Sequence, residues 1–378
     1  MKDTEWALVT AVVLIIIIGI ALPLYPSHLD ESNSTFQPEV RLLYTSSGTV
    51  LQLLDSEQID GFLIWEPVPQ IAVLGDVGKI IATDADLPPD HSWAEEPCCV
   101  LVIHKDLIKQ HPDLAAALSA LTSAGIEYIT KERESAVHES AAWLYGEQKI
   151  IIGDATLDPV SIETASFQEF QFISGENASA REDSKSPIIL KGLAILNGSL
   201  PFSSQEDLIQ IDFGYLPTDH HAPLFVLLNR WQYFQDRYDI ALIPTDTGSK
   251  RHTEASLVVG GHILAKVRLL PGQNGGGLMT GIGQGVIDAA YVGSVPAQYQ
   301  IDLGNPACIV QPIHTGGSAI VVGTKAPCND WRSCILWAQK RSAEGNPLVI
   351  ATVQTSIQEK MLRGACKAEG VEVRLLEI

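Results

Sequence analysis

The stretch VRLLPGQNGGGLMTGIGQGVIDAAYVGSVP, residues 267–296, has the order of a strand, a small-residue turn, a helix and a second buried strand. The stretch VRLLYTSSGTVLQLLDSEQIDGFLIWEPVP, residues 40–69, repeats this order with the same Ile-Asp pair before its second strand. Two parallel strands joined through a helix are the natural interpretation of such a unit. The repeat therefore predicts an α/β protein with two similar lobes.

The chain is long and acidic. Its 378 residues are 46% hydrophobic, enough for two packed cores, and 25 basic residues stand against 45 acidic ones for a net charge of −20. No cluster of Lys and Arg is present that would follow a phosphate backbone. The composition therefore argues against nucleic acid as a partner.

Residues 6–25, WALVTAVVLIIIIGIALPLY, carry no charge and as a helix would span a bilayer core. A signal peptide is the alternative, but Pro23, Tyr25 and Pro26 follow where a small-residue cleavage site would stand. We favour an uncleaved anchor, with the bulk of the chain extracellular or periplasmic. Glycosylation sequons at Asn33, Asn177 and Asn197 agree with a location outside the cell, although Ser-rich linkers also produce sequons by chance.

The six cysteines do not have the spacing of a metal site. Adjacent Cys98 and Cys99 are expected to pack as small apolar residues in a buried strand, and Cys328 and Cys334 are candidates for a disulfide. The sequence therefore predicts no metal site, no cofactor and no cysteine nucleophile.

The turns of the two repeat units, residues 46–49 and 274–277, place small residues and free backbone N–H groups at the start of a helix. Such helix starts attract anions and polar ligand groups. One turn of this kind is weak evidence, but two that are placed alike in two lobes can face each other across a cleft.

Several longer segments resemble the nitrate/sulfonate/taurine family of substrate-binding proteins for ABC importers. They are DGFLIWEPVPQIAVLGDVGKIIAT (60–83), PCCVLVIHKDLIKQHPDLAAAL (97–118), FGYLPTDHHAPLF (213–225), IDAAYVGSVPAQYQIDLG (287–304) and HTGGSAIVV (314–322). The resemblance covers most of residues 39–378. It implies a type II periplasmic-binding-protein fold, in which two α/β lobes joined by two crossovers clamp a ligand.

The order of the segments departs from that family, in which the segment at 213–225 opens the protein and the segment at 60–83 belongs to the second half. The five-residue sequence EVRLL also occurs twice, at 39–43 and 372–376. Both observations indicate a circular permutation. Its new ends would carry the same strand sequence and would lie side by side. There are two alternatives. Half-lobes of two chains could complete each other in a swapped dimer, or the two strand sequences could be identical by chance.

The permutation predicts that one lobe is continuous and that the other is assembled from both ends of the chain. The predicted segments are a membrane anchor or signal segment (1–26), a linker (27–38), the first part of lobe II (39–97), a continuous lobe I (98–318) and the second part of lobe II (319–378).

The resemblance also implies ligand-binding residues, on loops at the carboxyl ends of strands. Hydroxyls and N–H groups would bind ligand oxygens, a histidine would add charge, and an indole would supply a flat wall. Several of these residues also have a structural explanation. Trp65 could pack in the core, and Glu66 could face solvent or form a salt bridge. Four others suit helix capping, namely His220, His221, Asp219 and Ser356. The candidates are Thr218, His220, His221, Gly275, Gly276, Gly293, Ser294 and Ser318 on one side, with Thr355, Ser356, Ser47, Gly48, Thr49, Trp65 and Glu66 on the other.

The expected function is a membrane-anchored binding component that clamps a small oxyanionic solute for an ABC permease and its ATPase. One alternative is a binding protein or enzyme related to thiamine-pyrimidine synthesis, but the Cys-rich motif of that branch is missing and no nucleophile-base pair is evident. A tethered solute sensor is the other alternative, weakened because five residues before the apolar run leave no room for an output domain.

Overall fold

The computed structural model describes residues 36–89, 92–173, 208–246 and 248–377. Its strands are β1 Glu39–Tyr44, β2 Gly61–Trp65, β3 Gly78–Thr83, β4 Pro97–His104, β5 Ile150–Ile152, β6 Ala155–Leu157, β7 Phe170–Phe172, β8 Ile209–Tyr215, β9 Ile240–Pro244, β10 Glu254–Val259, β11 His262–Pro271, β12 Ala289–Gly293, β13 Ala307–Gly316, β14 Ser318–Gly323, β15 Val349–Thr352 and β16 Glu372–Leu375.

The helices pack on both large sheets. They are α1 Val50–Asp55, α2 Val68–Leu74, α3 Lys105–Gln110, α4 Pro112–Lys131, α5 Arg133–Tyr145, α6 Pro159–Ser166, α7 Ala222–Asn229, α8 Trp231–Tyr238, α9 Gly275–Gly283, α10 Ser294–Asp302, α11 Trp331–Ala343 and α12 Ile357–Ala368, with short 3-10 turns at Ser92–Glu95 and Asp219–His221.

Two sheets define the two lobes. In lobe I the strand order is β7-β13-β4-β12-β8-β11-β10-β9, and in lobe II it is β16-β1-β15-β2-β14-β3. The chain passes from lobe II to lobe I between Thr83 and Pro97 and returns at Gly316 and Gly317. Pro97, predicted as the last residue of the first part of lobe II, is the first residue of β4 in lobe I, and Ser318, predicted as the last residue of lobe I, is the first residue of β14 in lobe II.

The predicted repeat is present in both lobes. In lobe I, β11 and β12 flank β8 in parallel, and in lobe II, β1 and β2 flank β15 in parallel. The repeated aspartates act alike, because a carboxylate oxygen of Asp288 accepts from the N–H of Asp212 at 2.8 Å and one of Asp60 accepts from the N–H of Val349 at 2.8 Å. Each aspartate therefore fixes the middle strand of its unit against the strand that follows the helix.

The two copies of EVRLL are neighbouring parallel strands in lobe II. They pair residue for residue, Glu39 with Glu372 and Leu42 with Leu375. Their environments differ, since β1 lies between β15 and β16 while β16 is the edge strand. Leu42 is 1% exposed and Leu375 is 50% exposed. The head and tail of the described chain thus form one side of the same lobe.

Several expectations fall on residues outside the described ranges, namely the apolar run 6–25 and the sequons at Asn33, Asn177 and Asn197. Among the helices that the structure describes, none combines the length and the apolar character needed to cross a membrane. The candidate disulfide partners Cys328 and Cys334 are free thiols in the structure, and their side chains are close enough to interact.

Candidate functional site

A cleft opens where the carboxyl ends of β8, β11 and β12 in lobe I meet those of β2 and β15 in lobe II. Ligands of open α/β sheets bind at such strand ends. The cleft itself has a cavity volume of only about 40 Å³ in this structure, and a neighbouring groove of about 390 Å³ shares its rim at Gly276, Pro296 and Thr355. The groove has the dimensions of a small-molecule site.

The cleft unites many of the residues predicted from the sequence with others that the sequence did not single out. The predicted residues on its wall are Trp65, Thr218, His220, Gly275, Gly276, Gly293, Thr355 and Ser356. The additional lining residues are Cys98, Cys99, Leu216, Pro296, Val353, Gln354, Ile357 and Gln358.

The remaining predicted residues lie beside the cleft without lining it. Glu66, His221, Ser294 and Ser318 are buried behind the wall. Ser47, Gly48 and Thr49 form the turn before α1, and of that loop only Thr45 and Ser46 reach the neighbouring groove. The helix that follows this turn has only six residues, so its N-terminus is a weak anion site.

The lobe II wall is held by the capping residues of α12. The Ser356 hydroxyl accepts from the N–H of Glu359 at 3.1 Å and donates to the carbonyl of Val353 at 2.6 Å, so capping occupies it. Thr355 has a left-handed backbone with φ of 58°, which is strained for a β-branched residue, and its N–H donates to a Glu359 carboxylate oxygen at 2.7 Å. The α12 N-terminus is therefore held rigidly at the cleft.

The lobe I wall contains the glycine-rich start of α9. The Asn274 side chain caps the helix by accepting from the N–H of Gly277 at 2.8 Å. A Cβ on Gly275 would lie 2.7 Å from Pro296 Cγ, so only glycine allows α9 to approach α10 this closely. Gly276 has room for a side chain, since the nearest described atom to its added Cβ would be Asn274 Oδ1 at 3.4 Å. This position is the open face of the helix start.

Polar contacts join the lobes behind the cleft. The Thr218 hydroxyl of lobe I donates to the backbone carbonyl of Glu66 in lobe II at 2.8 Å. The Gln358 amide donates to the Ser318 hydroxyl within lobe II at 2.8 Å, and it lies 4.0 Å from Sγ of Cys98 in lobe I. Thr218 and Glu66 therefore position the lobes in this structure. Gln358 is a polar residue at the cleft that no sequence motif singles out.

Carboxyl groups are buried beneath the lobe interface. Burial raises the pKa of Glu66 well above its usual value, and the neighbouring Asp219 raises it further. The pKa of Glu163 is raised for the same two reasons, burial first. Asp219, whose carboxylate accepts from the Ser166 hydroxyl, also has a pKa raised by burial. The neutral form of these groups is thus favoured where the lobes meet.

The two adjacent histidines have different surroundings. The His221 ring accepts from the N–H of Leu216 at 2.8 Å, and burial lowers its pKa well below the usual value. His221 occupies the N-cap position of α7, but its side chain does not cap the helix. His220 faces the cleft, with Nδ1 3.6 Å from Cys98 Sγ and its ring centroid 4.2 Å from that of His314. His220 therefore belongs to the site and His221 supports the strand end.

Cys98, Cys99, His220 and His314 form a buried cluster in which one ligating atom from each residue lies within 4.8 Å of the others. The neighbouring Cys99 thiol and the two imidazoles lower the pKa of Cys98, and the interaction with Cys98 raises that of Cys99. Linear spacing predicts no metal site from these residues, whereas the folded chain supplies four possible ligands. Both cysteines are buried in a strand as predicted, and the fold also places their thiols beside two imidazoles.

Comparison with known proteins agrees with this architecture. The model of the NMT1-like family matches residues 24–145 and 204–375, well over half of the chain. An uncharacterised protein of Methanocaldococcus jannaschii is 31% identical over 129 residues, which represent 34% of this chain and 86% of that protein. The chain belongs to the NMT1-like family, a family of ABC-transporter substrate-binding proteins of the nitrate, sulfonate and taurine type.

Proposed function

We propose that the chain binds a small oxyanionic solute in the cleft between its lobes and delivers it to an ABC permease driven by its ATPase. The observation that carries this proposal is the pair of helix N-termini, those of α9 and α12, on opposite walls of one cleft. Free N–H groups at helix starts favour anions. Among the described lining residues there is no Asp or Glu to repel an anion.

A thermal-shift screen tests this function. We expect one of nitrate, bicarbonate, taurine, an alkyl sulfonate or a pyrimidine to raise the melting temperature by mass action, by an amount equivalent to about 2.7 kcal/mol at a hundredfold excess over Kd. Chloride at equal ionic strength is the control. A pyrimidine as the only binder would favour the relationship to thiamine-pyrimidine proteins instead.

Gly276→Asp tests the anionic character of the solute. The new carboxylate would lie in the cleft, where we expect it to abolish the anion-induced shift, whereas its position at a helix start should change stability by only about 0.3–1 kcal/mol. Gly277→Asp is the matched control, because Gly277 belongs to the same helix turn but does not line the cleft. Equal binding by both variants would exclude this helix start as the oxyanion site.

The apolar run 6–25 supports a further part of the proposal, that the chain is anchored in the cell membrane with its lobes outside. Cell fractionation tests this, since the full-length chain should remain with the membranes after a high-salt wash and a chain lacking residues 1–26 should not.

We also infer that the chain is a circular permutation of its family. The pairing of the two EVRLL copies, residue for residue in neighbouring strands, supports this history. Because β16 and β1 are parallel, Ile378 and Glu39 lie at opposite ends of their strands, and a reordered chain needs a flexible linker between them. A chain that begins at Gln210 and runs from Ile378 through such a linker into Glu39 should then fold with an unchanged cleft, as measured by the same solute-induced thermal shift. A reordered chain that failed to fold would count against the inference.

A further inference from the structure

The base of the cleft contains ligating groups that solute binding by helix N-termini does not require. Cys98 and Cys99 lie at the start of β4, His220 follows β8, and His314 lies in β13. All four residues belong to lobe I, and none is more than 5% exposed. We propose that they bind one thiophilic divalent metal ion, for which Zn²⁺ is the best match.

The sheet register explains how two adjacent cysteines reach one site. Successive side chains of a regular strand point to opposite faces. In β4, however, Cys99 pairs with His314 of the neighbouring strand. Thr315 then pairs with Pro97, so Cys98 is an extra residue in the ladder. A bulge of this kind re-aims a side chain, and it brings both sulfur atoms to the same pair of imidazoles.

The imidazoles have spare ligating capacity. Among the described residues, neither nitrogen of His314 has a hydrogen-bond partner of acceptable geometry, and His314 is 0% exposed. His220 presents Nδ1 to Cys98 Sγ at 3.6 Å, so this nitrogen can face an ion that is shared with the thiolates. Buried polar groups are normally paired because an unpaired one loses its hydration without compensation. A bound ion would supply a partner for the His314 nitrogen that faces the cluster.

The four groups suit a tetrahedral ion of the zinc class. Zn²⁺ binds two thiolates and two imidazoles at about 2.3 Å and 2.0–2.1 Å, which places ligand atoms roughly 3.3–3.8 Å apart. The present atoms are within 4.8 Å of one another, so a contraction of about 1 Å completes the shell. The absence of a carboxylate from this cluster disfavours Mg²⁺ and Ca²⁺.

Charge balance favours a divalent ion over a monovalent one. Two thiolates with a divalent cation form a neutral unit, whereas Cu⁺ would leave one net negative charge in a buried place. Uncompensated charge is costly in such surroundings. Phe170 covers both rings, with centroid distances of 4.9 Å to His220 and 5.3 Å to His314, and the Gln358 amide of lobe II stands over Cys98. The site is therefore enclosed.

Metal titration of the reduced, full-length chain without solute tests the proposal. We expect one Co²⁺ per chain, with the ligand-field bands of tetrahedral cobalt and a thiolate-to-cobalt charge-transfer band, and displacement of Co²⁺ by Zn²⁺. Cys98→Ser and His314→Gln should each weaken Zn²⁺ affinity by at least about 100-fold, since even residues behind the ligands cost 10–100-fold. Zn²⁺ should raise the melting temperature of the wild type and not that of these variants.

The matched control is Cys328→Ser with Cys334→Ser, which removes the other pair of neighbouring thiols but leaves the four proposed ligands. Circular dichroism shows which variants fold. If one ligand variant does not fold, Cys99→Ser and His220→Gln serve in its place. Binding that depends on Cys328 and Cys334, octahedral cobalt spectra, a preference for Cu⁺ over Zn²⁺, or no stoichiometric binding would each overturn the proposal. Because no solute is present, these outcomes are independent of the proposed transport function.

Discussion

Replacement of Leu42 by alanine should lower the free energy of unfolding by about 2–5 kcal/mol, the range observed when a buried leucine is truncated in a core. Leu42 is 1% exposed on β1, which lies between β16 and β15 in the lobe II sheet. Leu375→Ala, at the paired position of the second EVRLL copy, should cost about 0.5 kcal/mol or less, because this side chain is 50% exposed on the edge strand.

Urea unfolding of the two variants measures this difference. The comparison is closely matched, since the residue type, the surrounding word and the strand register are the same. Equal losses would contradict the placement of β16 at the sheet edge. A larger loss for Leu375→Ala would indicate that the second copy, and not the first, is the inner strand.

Gly317→Ala should lower the free energy of unfolding by about 2–5 kcal/mol, the sum of left-handed backbone strain and overpacking. Gly317 lies at the return from lobe I to lobe II and has φ of 84°. A Cβ at this position would be 2.6 Å from His220 Nε2 and 3.0 Å from Phe170 Cβ. Neither neighbour can move freely, because the two rings pack against each other.

Gly345→Ala separates the two contributions. Gly345 has φ of 76°, but no other described atom would lie within 4 Å of the added Cβ. Its replacement should therefore cost only the backbone strain, about 1–2 kcal/mol. Chemical denaturation of both variants measures the difference, and a Gly317→Ala loss no larger than that of Gly345→Ala would show that the ring of His220 is not held against the crossover.

The cleft residues were predictable where their position follows from local order. Gly275 and Gly276 begin a helix after a strand, and Ser356 precedes a helix, so both walls could be located at strand ends. Side-chain roles were less predictable. Ser356 is occupied by capping, and the Thr218 hydroxyl binds the carbonyl of Glu66. A hydroxyl at a strand end has several competing partners, and sequence alone does not choose between them.

The buried cluster of two cysteines and two histidines could not be predicted from local sequence order. Its members are Cys98, Cys99, His220 and His314. Its members are separated by more than 90 residues on each side of His220, so no local spacing connects them. They meet because β13 and β12 pair with β4 on its two sides, and because the bulge at Cys98 changes the direction of one side chain. Strand neighbours and bulges depend on long-range pairing, which residue order does not specify.

The sequence by itself determined the two strand-turn-helix-strand units, the α/β class and the end of each strand at which a ligand site would form. These features follow from the periodicity of neighbouring residues and from turn chemistry, both of which act over a few residues. Only the tertiary structure decided that one copy of EVRLL is an inner strand and the other an edge, and that four distant side chains share one buried site. The physical reason is that burial and side-chain proximity depend on which strands pair across the whole chain. Two identical segments therefore have different environments when their neighbouring strands differ.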